Sequence, residues 1–145
     1  TVAVGDINND GVMDIVVVPS ELQGESYHIS WFEAQKNHPD DGWTEHVIVQ
    51  QVETVFHSLE LGDMNQDGYL DIVTAEMHQG RDPDEVKIYY NRNGGASWYK
   101  QVLSDKGSHY LRIGDVGNDG DLDLMGANWS GPYQPIELWE NILCD

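Results

Sequence analysis

The sequence is poor in cysteine, in basic residues and in long apolar runs. Its single cysteine, Cys144, excludes an internal disulfide bond. Only 7 lysines and arginines oppose 26 acidic residues, which gives a formal charge of −19, so we expect neither nucleic acid nor an anionic membrane as a partner. No apolar run approaches the roughly 18 residues of a membrane span, so no membrane insertion is expected. No secretory signal peptide is visible in the sequence.

The apolar fraction, 39%, is also low for a globular protein. Such an acidic chain could be disordered. Five tryptophans and seven tyrosines argue instead for a folded core, and 145 residues are enough for one domain. The acidic residues recur in clusters between apolar runs rather than in a single tail, which also indicates an ordered, repetitive architecture.

The most informative feature is a motif that occurs three times. It reads apolar-x-apolar-Gly-Asp, then three residues, Asp-Gly, two residues and Asp-apolar, and it covers 2–16, 59–73 and 111–125. The first aspartate of the motif recurs after 57 and then after 52 residues. Repeats of about this length are typical of propellers and solenoids.

Four short strands are predicted in a full repeat. One apolar strand precedes the Asp-rich loop and a second follows it. An aromatic strand and a Trp-led strand complete the unit, and no segment has a convincing helical period. Four strands in roughly 50 residues are typical of β-propeller blades, whereas a β-sandwich would not predict such regular repetition. The sequence therefore predicts an all-β fold of four-stranded antiparallel blades at 1–54, 55–107 and 108–145, the third lacking its outermost strand.

The number of blades predicts an incomplete ring. Three blades are fewer than the four to eight of typical propellers. The chain is therefore expected to be either part of a larger propeller or a protomer that closes by homo-oligomerisation, because strand edges are otherwise left exposed.

The Asp-rich loops have the pattern of a calcium site. In the first loop, side-chain oxygens fall at positions 1, 3, 5 and 9, a glycine at position 6 permits a sharp turn, and position 7 can offer its carbonyl oxygen. Oxygen ligands alone suit a hard cation with six to eight ligands, which favours Ca²⁺ over Mg²⁺. We expect up to three ions. The predicted ligands are Asp6, Asn8, Asp10, Val12 and Asp14; Asp63, Asn65, Asp67, Tyr69 and Asp71; and Asp115, Asp119, Asp121 and Asp123.

The third loop departs from the pattern because Gly117, at position 3, has no side-chain oxygen. We expect this site to be the weakest, with the Asp121 side chain compensating through its charge. An EF-hand would need flanking helices and a glutamate at position 12, where this chain has Val17, Thr74 and Gly126. A hairpin turn without metal would not require the aspartates at positions 1 and 9.

The Asp-rich loop between two apolar strands, repeated at this period, resembles the FG-GAP/VCBS repeat. That family includes the integrin α-subunit head and many secreted microbial proteins. The resemblance covers nearly the whole chain. It implies a propeller with calcium loops on one face, an extracellular or cell-surface location and a mainly structural role for calcium. The Phe-Gly…Gly-Ala-Pro signature of the family is not evident, which favours its microbial or fungal branch over an integrin-like role.

A second group of polar residues is predicted at the opposite ends of the strands. The calcium loop of each blade joins the end of the first strand to the start of the second strand. The start of the first strand and the end of the second strand should therefore meet at the opposite face of the blade. With Tyr110 and Trp31 as neighbours, such a group could bind a sugar, a second metal or a substrate. The alternative is that the repeat-equivalent histidines only bond loop backbone. The predicted group is His57, Glu76, His78, His109, Asn128 and Trp129.

Three functions are compatible with these features. A calcium-binding module that recognises a glycan or protein ligand outside the cell fits an acidic, Trp-bearing chain without a complete catalytic motif. An enzyme of the polysaccharide lyase or sugar dehydratase kind would use the histidines and Glu76 as acid/base residues or metal ligands. A structural or assembly unit is suggested by the unclosed ring. The sequence favours the binding module.

Overall fold

A computed structural model describes residues 1–21, 27–35, 42–78, 80–81, 83–128 and 136–143. These residues contain eleven strands and no helix, so none of them forms a helix long and apolar enough to cross a membrane. The strands are β1 (Val2–Gly5), β2 (Asp14–Val17), β3 (Tyr27–Ala34), β4 (Trp43–Val52), β5 (Phe56–Gly62), β6 (Asp71–Glu76), β7 (Val86–Arg92), β8 (Ser97–Ser104), β9 (Tyr110–Gly114), β10 (Asp123–Ala127) and β11 (Ile136–Trp139).

The strands form three antiparallel sheets, each a simple up-and-down meander. The first blade has the order β1-β2-β3-β4, the second β5-β6-β7-β8, and the third β9-β10-β11. The predicted all-β fold is thereby confirmed. The described strands form propeller-like blades, but they do not close into a ring.

Each Asp-rich loop is the connection of a hairpin between the first and second strands of its blade. The last strand pair before the loop is the same in all three blades, a glycine opposite an aspartate: Gly5 with Asp14, Gly62 with Asp71 and Gly114 with Asp123. The glycine at loop position 6 has a left-handed backbone in every copy, with φ of 89° at Gly11, 89° at Gly68 and 96° at Gly120. These turns therefore require that residue.

Apolar side chains fill the space between neighbouring blades. Strands of a blade alternate their side chains, so one set faces the preceding blade and the other faces the following one. Between the first and second blades, Val16 and Ile29 pack in one cluster with Leu59 and Ile72. Between the second and third blades, Val73, Ala75, Val86 and Ile88 cluster with Leu111 and Leu124.

The glycine that precedes each loop gives the next blade room to approach. A Cβ added at Gly5 would lie 2.6 Å from a methyl carbon of Leu70, and one added at Gly62 would lie 2.5 Å from a methyl carbon of Ile113. Real Cβ atoms do not come this close, so the motif needs glycine there for packing rather than for a special backbone angle.

Hydrogen bonds also join each blade to the next one. The Asn9 side chain donates to the Gly68 carbonyl at 2.8 Å, and Gln66 donates in the same way to Gly120 at 3.1 Å. In the opposite direction, the buried Asn91 side chain donates to the Ile7 carbonyl at 2.9 Å, and its repeat equivalent Asn141 donates to Met64 at 2.8 Å. The first and second loops are thus bonded to the next blade as well as to their own.

Candidate calcium loops and the opposite face

In the first loop, side-chain oxygens are held by the backbone of the same loop. The two carboxylate oxygens of Asp6 accept hydrogen bonds from the backbone N–H groups of Asp10 (3.0 Å) and Gly11 (2.9 Å). Asn8 Oδ1 accepts from Asp10 N–H at 3.1 Å, and Asp10 Oδ1 accepts from Val12 N–H at 2.8 Å. Positions 1, 3 and 5 are therefore fixed around one short stretch of chain.

The second loop repeats this arrangement atom for atom. Asp63 accepts from the N–H groups of Asp67 and Gly68 at 3.0 and 2.8 Å. Asn65 accepts from Asp67 N–H at 3.0 Å, and Asp67 accepts from Tyr69 N–H at 3.0 Å. A pattern shared by two loops of different sequence belongs to the repeat rather than to one chance turn.

The aspartate at position 9 is buried in every blade and joins three segments of it. Asp14 accepts from the N–H of Ile7, in the loop, and from the N–H of Ala34, at the end of the third strand, both at 3.0 Å. The equivalent residue Asp71 bonds Met64 and Asn91 at 2.9 and 2.8 Å, and Asp123 bonds Val116 and Asn141 at 2.8 Å each.

The loops concentrate negative charge around these buried carboxylates. Burial first, with repulsion by Asp67 and Asp63, raises the pKa of Asp71 to about 6 against the lowering effect of its two backbone hydrogen bonds. The pKa of Asp14 is raised for the same reasons, first by burial and then by Asp10 and Asp6. A cation at either loop would remove this repulsion.

The third loop uses carboxylates differently. Asp115 still accepts from Asp119 N–H and Gly120 N–H, at 3.1 and 3.2 Å. Gly117 leaves space at position 3, and the Asp119 carboxylate lies 3.0 Å from where a Cβ of that residue would be. Asp121 is buried, and its Oδ1 has no hydrogen-bond partner among the described residues. A side-chain hydrogen bond with Asp121 raises the pKa of Asp119.

The donor set of the loops fits a hard cation. It consists of carboxylate, amide and carbonyl oxygens, the ligands that Ca²⁺ takes in proteins. In the described part of the chain, no group of three or more His, Cys, Asp and Glu side chains is already gathered as a metal cluster. In the first two loops the carboxylates accept hydrogen bonds from backbone N–H groups, and an asparagine and a backbone carbonyl stand beside them as further oxygen donors.

On the opposite face, two of the predicted histidines meet. His57, at the start of β5, and His109, just before β9, have ring centroids 4.6 Å apart and rings tilted by 56°. Burial lowers the pKa of His109, and repulsion by His57 and by His78 lowers it further, so all three imidazoles lie within electrostatic reach. Glu21, which the sequence did not single out, contacts His57 Nε2 at 3.2 Å.

Glu76 has a structural partner instead. Its Oε1 lies 2.6 Å from the buried Lys87 ammonium, and its Oε2 accepts the Glu85 N–H at 2.7 Å. Glu85 makes a second ion pair with Lys87, at 3.0 Å, and Lys87 also lies over the Phe56 ring. The Glu76 carboxylate is therefore occupied in holding β6 to β7.

The last two predicted residues of this face are Asn128 and Trp129. Asn128 is buried and its Oδ1 accepts the His109 N–H at 3.0 Å, so it fixes the start of β9. Its Nδ2 has no hydrogen-bond partner within the described ranges. Trp129 lies outside the described residues. Tyr110 is half exposed beside Arg112, which lies over its ring, whereas Trp31 is buried between the first two blades.

Repeated four-stranded blades with an Asp-rich hairpin loop define the class of propeller-type repeat proteins. Residues 63–126, from the second loop into the third blade, match the family of FG-GAP-like repeats. The resemblance to FG-GAP/VCBS repeats is thereby confirmed over this part of the chain. No curated protein matches the chain.

Replacing Glu76 by glutamine should destabilise the fold. The change leaves the buried Lys87 ammonium with Glu85 as its remaining carboxylate partner. Because breaking a buried ion pair from one side is costly, we expect a loss of about 3 kcal/mol in the free energy of unfolding. Denaturant titration would measure it. Glu60→Gln, which removes a more exposed pair with Arg112, is the control and should cost no more than about 1 kcal/mol. Equal losses of unfolding free energy in the two variants would contradict the structural role of the buried Glu76–Lys87 pair.

The chelated protein should become more stable as the pH falls from 7 to 5. The pKa of Asp71 is about 6 in the folded chain, against an ordinary value of 3.8 in the unfolded chain. The folded state therefore binds more protons than the unfolded state between pH 7 and pH 5. The gain from Asp71 should be about 1 kcal/mol. Asp14 acts in the same direction, and the lowered pKa of His109 acts against both. Thermal melts at both pH values would measure the change. The calcium-loaded protein should lose this gain, and a chelated protein that is less stable at pH 5 would contradict the prediction.

Proposed function

We propose that this chain is a calcium-binding β-propeller module that recognises a ligand outside the cell, with calcium in a mainly structural role. The observation that carries the calcium proposal is the repeated set of hydrogen bonds at loop positions 1, 5 and 9 in all three blades. Hairpin turns alone do not need a buried aspartate at position 9. The residues that would hold the ions are the loop ligands named from the sequence. In the third loop Asp121 would offer Oδ1, which has no hydrogen-bond partner in the described part of the chain.

Calcium would act on the fold by neutralising the loops. Each ion adds two positive charges, so three ions would bring the formal charge from −19 to −13. Because the loops are bonded to neighbouring blades through Asn9 and Gln66, ordering one loop also stabilises a blade contact. A ligand that binds only the folded state stabilises it by about 2.7 kcal/mol at a concentration one hundred times its Kd.

Calcium binding can be tested by isothermal titration calorimetry with a matched variant. The wild-type chain should bind Ca²⁺ and melt at a higher temperature with it than with chelator. Asp63→Ala should remove one binding site and part of the thermal shift. The control is Asp105→Ala, which removes an exposed aspartate outside the loops and should change neither. The proposal fails if wild type shows neither heat of binding nor a shift of the melting temperature.

The recognition surface would be the face opposite the calcium loops. His57 and His109 lie there in contact, His78 lies near them, and Tyr110 adds a half-exposed ring beside Arg112. Imidazole and phenol groups can bond sugar hydroxyls and contact sugar rings. The lyase or dehydratase alternative is less favoured, because the carboxylate that would act with these histidines, Glu76, is occupied by Lys87.

A glycan array probed with calcium-loaded protein tests the recognition proposal. We expect binding that is lost on chelation and reduced in His57→Ala, because that variant removes one of the two contacting rings. Val102→Ala, a change on the outer strand of the second blade, is the control and should bind as wild type does. Absence of binding in both the loaded and the chelated state would overturn the glycan proposal and leave a protein ligand as the next candidate.

A further inference from the structure

The Glu33 side chain, near the end of β3, bridges the first Asp-rich loop to a stacked pair of rings. Its Oε1 accepts a hydrogen bond from Asn8 Nδ2 at 3.2 Å, and its Oε2 lies 2.8 Å from His46 Nε2. The His46 ring stacks on the Trp31 indole, with ring centroids 4.3 Å apart and ring planes at 13°. Asn8 is the predicted calcium ligand at position 3 of the loop, so Glu33 contacts this ligand from outside the loop.

Packing holds both ends of this bridge in place. Trp31 is buried in the apolar cluster between the first two blades, and the turn between β7 and β8 lies against it. A Cβ added at Gly95 would lie 2.7 Å from an indole carbon, and one added at Gly94 would lie 3.3 Å from Asn8 Cα. The same turn therefore covers the ring and the loop residue, so Glu33 connects two groups that the second blade already confines.

The contact with Glu33 determines which way the Asn8 amide faces. A side-chain amide has one acceptor oxygen and one NH₂ group. When the NH₂ group is bonded to Glu33, the oxygen points back into the loop, where it accepts the Asp10 N–H at 3.1 Å. Because Ca²⁺ takes oxygen ligands, this is the orientation that an ion in the loop requires. A carboxylate so close to the loop also attracts a cation.

The second loop holds its asparagine differently. Tyr90 stands where the first blade has Glu33, and its hydroxyl donates to Gln101 at 2.8 Å. The Asn65 amide donates to Asp67 Oδ2 at 3.0 Å, and Asp67 is itself a predicted ligand of the same loop. A cation in the second loop would therefore compete with that amide for a carboxylate oxygen, whereas Glu33 is not among the predicted ligands of the first loop.

The third repeat has the carboxylate without the amide. Glu140 stands at the position of Glu33, but loop position 3 is Gly117, which has no side chain to orient. Of the three copies of the motif in this sequence, the first alone combines an asparagine at loop position 3 with a carboxylate at this position.

We propose that Glu33 is a positioning residue for calcium in the first loop and raises the affinity of that loop alone. This inference rests on the proposed calcium binding and adds a residue outside the ligand set. Residues that bond metal ligands from outside orient them, and replacing such residues typically weakens metal binding about 10- to 100-fold. Because 32% of the Glu33 side chain is exposed, water screens its charge, and we expect the lower end of this range, about tenfold, for Glu33→Ala.

Two single-site chains allow the effect to be measured by calorimetric titration with Ca²⁺. The first-site chain carries Asp63→Ala and Asp115→Ala, and the second-site chain carries Asp6→Ala and Asp115→Ala, so each keeps one loop with its aspartate at position 1. Adding Glu33→Ala should raise the Kd of the first-site chain about tenfold. It should leave the Kd of the second-site chain unchanged, whereas loss of a residue that only supported the fold would weaken both sites.

A conservative variant and a matched control complete the set. Glu33→Gln keeps an oxygen that can accept from Asn8, so it should recover part of the affinity that Glu33→Ala loses. Tyr90→Phe removes a side-chain hydrogen bond at the equivalent position of the second blade and should change the Kd of neither single-site chain. In the chain with all three loops intact, Glu33→Ala should weaken one binding step and leave the others unchanged.

The outcomes separate this inference from the proposed function. The positioning role is overturned if Glu33→Ala leaves the Kd of a calcium-binding first-site chain unchanged, if it weakens both single-site chains equally, or if Glu33→Gln binds no better than Glu33→Ala. Absence of Ca²⁺ binding by the unaltered chain would instead overturn the proposed calcium binding itself, and with it the ligand role of Asn8 through which Glu33 acts.

Discussion

The structure depends on a buried carboxylate that bonds to the backbone at two distant points of its blade. In the first blade, Asp14 connects the loop at Ile7 with the end of the third strand at Ala34. Burying a carboxylate is costly unless hydrogen bonds compensate, and the two N–H donors provide them. The balance differs between blades. The pKa of Asp71, between two neighbours, is raised by burial, whereas the backbone hydrogen bonds from Asn141 and Val116 lower the pKa of Asp123 in the terminal blade.

The same loops hold the blades together. Position 4 of one loop donates to position 6 of the next, and an asparagine of the third strand donates back to position 2 of the preceding loop. Apolar packing between blades has no direction by itself, so these bonds and the glycines that seat the next blade set the register of the stack. The proposed cation binding would therefore be coupled to blade packing, because an ion that orders a loop would also order the donors and acceptors that reach the neighbouring blade.

The strands, their order and the loops could be predicted from the repeat, because each copy of the motif contains the first strand, the turn and the second strand of one hairpin. Contacts that depend on packing between blades could not be read in the same way. Asn91 bonds a carbonyl 84 positions earlier in the chain, and the one sequence signal for this contact is the recurrence of an asparagine at the equivalent position, Asn141, just after β11. Glu76 was grouped with the histidines because the end of β6 lies near them. Its pairing with Lys87 depends on the register of β6 against β7, which the sequence does not specify.

The two ends of the strands have different chemistry, and the distance between them matters for function. His57 and Asp63 stand at opposite ends of β5, about 20 Å apart along an extended strand. At that separation the Debye screening of physiological salt, about 8 Å, largely isolates the imidazoles from the loop carboxylates. The proposed recognition at the histidine face could therefore vary without changing the loops. The loops would still affect it through the blade packing that brings His57 and His109, from different blades, into contact. Loss of calcium would then weaken recognition by separating the blades rather than by altering the charge of the site.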